Sequence, residues 1–311
     1  MNWFDKRYHS LNYFLKNKFG EKVIKISLDL GLSCPNRDGT LSHSGCIFCS
    51  GEGSGEFSGN KNEPLAEQFD KGILSLKGKW EQAKYIAYFQ SFTNTYAPIE
   101  FLRQKYTEVL TFPNVVGISI ATRPDCISSE VLELLAELRK KTFVFVELGF
   151  QTSNAKSIQR INRCYENQVF QNVVEKLKEI NVNVVCHVIL GLPKETKKEM
   201  LETVQYVCEN KIDGIKIHLL HVLQDTALSE LYENNYFEVL SFQQYIDLVL
   251  SCLEIIPADI VIHRLTGDAP RHKIVAPMWS LNKKLVLNTI DTELKSRNLW
   301  QSKNISAINS F

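Results

Sequence analysis

The chain has 311 residues, 44% apolar and 23% charged, with a formal net charge of +1. A chain of that length buries roughly three quarters of its unfolded surface, and the composition excludes a disordered or fibrous protein. A net charge near zero excludes attachment to nucleic acid or membrane by bulk electrostatics alone. No apolar run nears the ~18 residues of a membrane-spanning helix, and the start MNWFDKRYHS lacks the apolar stretch of a signal peptide.

The expected compartment is therefore cytoplasmic, without membrane contact, and there eight cysteines read as metal ligands or redox groups rather than disulfides. Residues 1–22 form a basic N-terminal extension; through Lys25 the chain carries six Lys/Arg against two Asp/Glu. Tyr8, Tyr13, Phe14 and Phe19 recur at near-helical spacing, which predicts helix packing, with stacking on bases as the alternative. Ile24, Ile26, Leu28 and Leu30 then alternate with Lys25, Ser27 and Asp29, the period of a strand over 23–30.

After this strand, helical and strand-like stretches alternate. Helices are predicted near 64–78, 99–111, 128–141, 166–180 and 195–210, each followed by a strand, at 84–90, 115–121, 143–150, 182–190 and 214–220. Such alternation implies a parallel sheet with helical crossovers. Cys34, Gln90, Asn94, Arg123, Asp125, Gln151, Gly191 and His221 all fall just past strand ends. Contributions after every strand favour a barrel mouth over the single switch point of an open doubly wound sheet. The barrel spans 23–222. Residues 223–311 form a C-terminal extension packing on it, with a helix near 242–256, a short strand at 260–263 and a polar tail from about 285. Residues 264–284 carry five Lys/Arg against one Asp. Two basic segments meeting on one surface would track a phosphate backbone.

The loop after the first strand, CPNRDGTLSHSGCIFC, spaces Cys34, Cys46 and Cys49 by eleven residues and then two. C-x2-C brings two thiolates to one centre and a flexible loop adds the third. Zinc, with His43 as a further ligand, is one reading; an iron-sulfur cluster with one open iron is another.

Several phrases narrow the choice. Phe48 stands before the last cysteine, the loop follows the first strand, and SIATRPDC (119–126), ELGFQTSN (147–154), INRCYE (161–166) and HVILGLPKET (187–196) follow in order. Together, over about residues 8–280, they resemble the radical S-adenosylmethionine (SAM) superfamily. Within it they resemble the group that contains the elongator catalytic subunit and the oxygen-independent coproporphyrinogen oxidase, and most closely a bacterial subfamily of stand-alone elongator-like proteins.

The resemblance implies an α/β fold, a partial (β/α)6 barrel of the radical SAM type with N- and C-terminal extensions. It implies a [4Fe-4S] cluster on Cys34, Cys46 and Cys49, SAM on the open iron, and reductive cleavage of SAM to a 5'-deoxyadenosyl radical, with flavodoxin or ferredoxin as reductant. Phe48, Gln151, Arg163, His187 and Gly191 fall where relatives contact SAM. Arg163 would hold the methionine carboxylate, and the turn at Gly191 would approach the adenine. Where many members carry a Gly-Gly-Glu phrase this chain reads FQSFTNTYAP, so Gln90, Ser91 or Asn94 would meet the SAM amine instead. The implied substrate is tRNA, at the wobble uridine, with a 5-carboxymethylaminomethyl group processed to 5-aminomethyl. A small metabolite such as a porphyrin precursor, or a non-catalytic zinc-bound tRNA-binding module, are the alternatives.

Other polar residues carry two readings each. Arg123 and Asp125 are substrate or SAM contacts, or a turn and helix-start device. Glu147 is functional or an interior ion pair. His218 and His221 are buried structural histidines or substrate contacts. Cys186, Cys208 and Cys252, in apolar settings, read as core.

Overall fold

The structure is a computed structural model that describes residues 3–53, 55–76 and 83–305. Its elements in chain order are α1 (Leu11–Phe19), β1 (Val23–Leu28), α2 (Leu65–Leu74), β2 (Lys84–Phe89), α3 (Ile99–Val109), β3 (Val115–Thr122), α4 (Ser129–Lys141) and β4 (Phe143–Gln151). There follow α5 (Ala155–Arg160), α6 (Asn167–Glu179), β5 (Asn183–Leu190), α7 (Lys197–Glu209), β6 (Gly214–Leu219), β7 (Val222–Leu223), α8 (Ala227–Glu233), α9 (Phe242–Ile255), β8 (Val261–Arg264), β9 (Ile274–Ala276) and α10 (Lys283–Ser296).

The six predicted barrel strands lie where the period-two alternation places them, and each is followed by its crossover helix. Residues 77 and 78 of the helix predicted at 64–78 lie outside the described residues. Strands β1 to β6 pair in sequential order, all parallel, and β8 adds a seventh beside β6. Repeated crossovers of one hand curl such a sheet progressively, which yields a half-barrel of the radical SAM type. The central strands are buried on both faces, as crossover helices require: Ile118 and Ile120, Val144 and Val146, and Val184 and Val188 join the main core with Leu134, Phe170 and Val204 of the helices. Capping boxes at Thr196–Glu199 and Ser241–Gln244 set the starts of α7 and α9.

The N-terminal aromatics are packing residues. Phe14 and Phe19 rest on Phe143 at the start of β4, and Phe14 also meets Phe145. With Leu15 buried beside Val23 and Val185, α1 closes the N-terminal ends of the strands. The segment before it runs along β8, where Ser10 bridges Ile262 and the Ile262 amide donates to His9 O at 2.7 Å.

Three expectations need correction. The boundary at 222 cuts through one sheet, because β8 comes from the C-terminal region. The polar tail from 285 is α10, whose Val286, Ile290 and Leu294 are buried in the main core; three apolar residues at spacing four among polar neighbours carried that signal. The two basic segments do not form one exposed phosphate track: the first lies largely with α1, and the two come together only where Lys25, bonded to the buried Glu147, feels the charge of Arg264. No helix among the described residues is long and apolar enough to cross a membrane.

Candidate active site

The C-terminal strand ends open on a cavity of about 360 Å³, within the range of cofactor pockets. Cys34, Cys46 and Cys49 all line it, with Phe48 between the last two. The loop that carries them is clamped by two residues that the sequence reading left without a role. Asn36, fully buried, donates through Nδ2 to Asn162 O at 2.6 Å and to Cys46 Sγ at 3.5 Å. Arg37 donates to the carbonyls of Cys49 and, at 2.7 Å, Ser50. Ile47 pins the far side: its amide donates to Ile161 O at 3.2 Å, and its carbonyl accepts from the Leu228 amide at 2.9 Å. The signal for the clamp was CPNRDG itself, three polar side chains in a turn that needs none for solubility.

Do these residues suit a cluster? Burial pushes the Cys46 thiol up to about 12, and Cys49 adds to the shift, so thiolates form here only beside a cationic centre. Among the described residues no three His, Cys, Asp or Glu side chains are gathered for a single ion, and His43 is exposed. Cys49 and Cys34 both raise the Cys46 thiol, so the three thiols lie near one another, and a thiol-only ligand set suits an iron-sulfur cluster better than zinc.

Opposite the thiols, Gln151 ends β4 at φ +66°, a left-handed conformation that costs energy for a side-chain-bearing residue. Its Oε1 is buried without a partner among the described residues, and the residue lines the cavity. His187 and His221 line it too, as does Gln90, whose Oε1 accepts from Ser27 Oγ at 3.2 Å.

Four expected contacts lie elsewhere. Arg163 is 0% exposed and spends its guanidinium on Phe150 O, Thr152 O, Tyr165 O and Asn167 Oδ1, all within 3.1 Å; it braces the loop after β4. Arg123 stands at the cavity wall instead. Asn94 is buried and its Nδ2 donates to Phe89 O, Ser91 O and Ala121 O, which ties the loop after β2 to β3. Gly191, at φ +90°, packs toward Leu240 and Leu220, and the cavity wall there is Ile189 and Leu220. Asp125 does not cap α4, a role taken by Ser128. It grips Arg123 with both oxygens, at 2.9 and 2.7 Å.

Below the mouth, Glu147 is 0% exposed and bonds Lys25, Lys216, His187 Nε2 at 2.8 Å and Ser119 Oγ at 2.6 Å. Burial alone would push its carboxyl up. Lys216, Lys25 and the His187 bond outweigh that and hold it well below the carboxylate range. Lys216 also donates to Tyr88 Oη at 3.0 Å. The sequence reading gave Lys25 and Lys216 no role, because alternation in VIKISL and GIKIHL marks a strand without saying that the face opposite the helices is the lumen.

Burial lowers His221 to about 4. It thus stays neutral in the folded chain where an unfolded histidine, at 6.5, gains a proton, and stability falls as pH drops from 6.5 to 4. We expect His221→Gln to flatten urea-determined stability across that window by up to about 1.4 kcal/mol per pH unit. An unchanged slope would remove His221 as a source.

A family model described as the radical SAM superfamily matches residues 34–207, more than half of the chain. The chain belongs to the radical SAM superfamily. The superfamily's C-terminal domain matches residues 212–296, so β8 and α10 are part of the radical SAM architecture. With the family come the [4Fe-4S] cluster and SAM, in place of the zinc-module alternative. The Bacillus subtilis protein YtqA is 48% identical over 299 residues, covering 96% of this chain and 93% of that one. Elongator complex protein 3 of Saccharomyces cerevisiae is 27% identical over 158 residues, covering 50% of this chain but 28% of its own. Among solved structures, Elp3 of Methanocaldococcus infernus superposes with a TM-score of 0.66 at 17% identity, covering 90% of this chain and 64% of that one.

Proposed function

We propose that this radical SAM enzyme acts on tRNA, converting a 5-carboxymethylaminomethyl group on the wobble uridine to 5-aminomethyl. Cys34, Cys46 and Cys49 hold the cluster; Phe48, Gln151 and His187 surround SAM, with Gln90 and Arg123 at its polar end. The observation that carries the reading is the cavity that joins three half-buried thiols to the unpartnered Gln151 Oε1. When bound and reduced, cluster and SAM supply one-electron cleavage and abstraction of a substrate hydrogen. The chain's own residues hold the loop, through Asn36, Arg37 and Ile47, and exclude water, through the apolar cluster of Ile161, Leu220 and Val222 against which Ile47 and Phe48 pack.

Two features support RNA over a small metabolite: the likeness to Elongator complex protein 3, and exposed Arg271, His272 and Lys284 following the mouth residue Arg264, a surface for phosphates. Reduction calls for a partner such as flavodoxin or ferredoxin. In a strain lacking the protein, mass spectrometry of tRNA nucleosides is expected to show 5-carboxymethylaminomethyluridine accumulating at the expense of 5-aminomethyl products. Unchanged wobble nucleosides would sink the tRNA assignment.

A further inference from the structure

One wall of the cavity carries more positive charge than the mechanism so far uses. His187 on β5 pairs in register with Lys216 on β6, and Lys216 with Arg264 on β8. Residues in register on parallel strands share a face, so three nitrogen-bearing side chains from adjacent strands form one row, and all three line the cavity. Lys216 lies three residues before the end of β6, inside the lumen, whereas Arg264 ends β8 at the mouth, so the row climbs from lumen to mouth. His218, two residues beyond Lys216 and so on the same face, forms the next layer up; its ring lies tilted against that of His187 with centroids 5.1 Å apart.

The charges in this connected set do not balance. Lys25 and Lys216 share Glu147. Asp268 is held by Lys283 at 2.5 Å and reaches Arg264 only at 3.5 Å. Four cations thus face two carboxylates; Lys25, Lys216 and Glu147 are out of water, while Arg264, Lys283 and Asp268 are partly exposed. Unmatched buried charge is costly, and burial lowers the Lys216 ammonium from the ordinary lysine range even though Glu147 pulls it back up. Hydrogen-bonding capacity is unfilled as well: Nε2 of His218 and Nε2 of His221 are buried without partners among the described residues, and both residues line the cavity. An anion placed between Lys216, Arg264 and His218 would supply the missing charge and accept the idle donors. Two ammonium or guanidinium donors beside an imidazole suit the two oxygens of a carboxylate.

We propose that Lys216, Arg264 and His218 form a subsite for a carboxylate on the substrate, presented from the lumen wall of β6 and β8. The proposal deepens the tRNA reading, on which its choice of RNA probe rests, by assigning the carboxymethyl end of the side chain to this wall. That end is then anchored at a fixed depth, so the methylene next to it is the part presented for reaction.

The test uses reconstituted enzyme without reductant, so that binding is read apart from turnover. An RNA stem-loop carrying 5-carboxymethylaminomethyluridine is expected to bind at least about tenfold more tightly than the same RNA carrying the neutral carboxamide. Lys216→Met and Arg264→Gln should each erase that preference, and Arg264→Lys should keep it. Arg264 is partly exposed, so its variants fold even where the buried Lys216→Met does not. Equal binding of acid and amide by the wild type, or a preference that survives in the variants, overturns the subsite and leaves the tRNA reading standing. If neither modified RNA binds better than unmodified RNA, the tRNA reading fails and the subsite is judged on 13C-labelled N-methylglycine alone. Line broadening by the wild type that Arg264→Gln abolishes upholds it; no broadening overturns it.

Discussion

Cys46→Ala, reconstituted anaerobically with iron and sulfide, is expected to lose both the brown colour and dithionite-dependent release of 5'-deoxyadenosine from SAM. Wild-type protein should hold about four irons per chain, and cleavage should fall by at least about 10³-fold in the variant, the scale seen when a unit that makes the chemistry possible is removed. Cys34→Ala and Cys49→Ala should behave alike, because all three thiols line the same wall. Cys164→Ala supplies the contrast: that thiol is exposed and hydrogen-bonds to Asn162, so iron and cleavage should persist. Iron retained in Cys46→Ala, or lost equally in Cys164→Ala, would show that the loop is not the ligand set.

The second large effect concerns stability. Glu147→Gln keeps the shape of the side chain but leaves Lys25 and Lys216 without their shared anion in the barrel interior. Breaking a buried pair by removing one partner costs about 3–5 kcal/mol, and two cations depend on this carboxylate, so the upper end is expected. The loss reads out as a lower urea midpoint with unchanged slope. Its pH dependence has a definite sign. In the variant the folded chain favours neutral lysines while the unfolded chain keeps them protonated up to about 10.5, so the unfolded state binds more protons and stability recovers as pH rises. A double variant with Lys216→Met should regain part of the loss, because the pair are in contact. A midpoint within error of wild type at neutral pH would mean that the carboxylate contributes nothing net.

The sequence showed the frame of this molecule because strands and helices leave their pattern in the order of residues, as alternation in VIKISLDL and short apolar runs in VVGISIAT and FVFVELGF. It showed the thiols because their spacing in one loop is itself the geometry. Less visible were features decided by tertiary placement. Arg163 lies in INRCYE, next to the site, yet five hydrogen bonds to Phe150, Thr152, Tyr165 and Asn167 occupy it. Lys25 and Lys216 alternate with isoleucines as solvent-facing residues do, and only the curvature of the sheet turns that polar face inward. Residues 285–296 look polar because three buried positions suffice to dock α10.

The helix laid under the strands gives the lumen a floor. Phe14 and Phe19 pack on Phe143 at that end, and the cavity opens at the other, among the C-terminal ends of the strands. If the proposed tRNA and an electron-delivering protein both use this mouth, they would occupy one threshold in turn, and turnover would be a matter of traffic: the visitor that supplies the electron would have to step aside before the visitor that receives the chemistry could sit down.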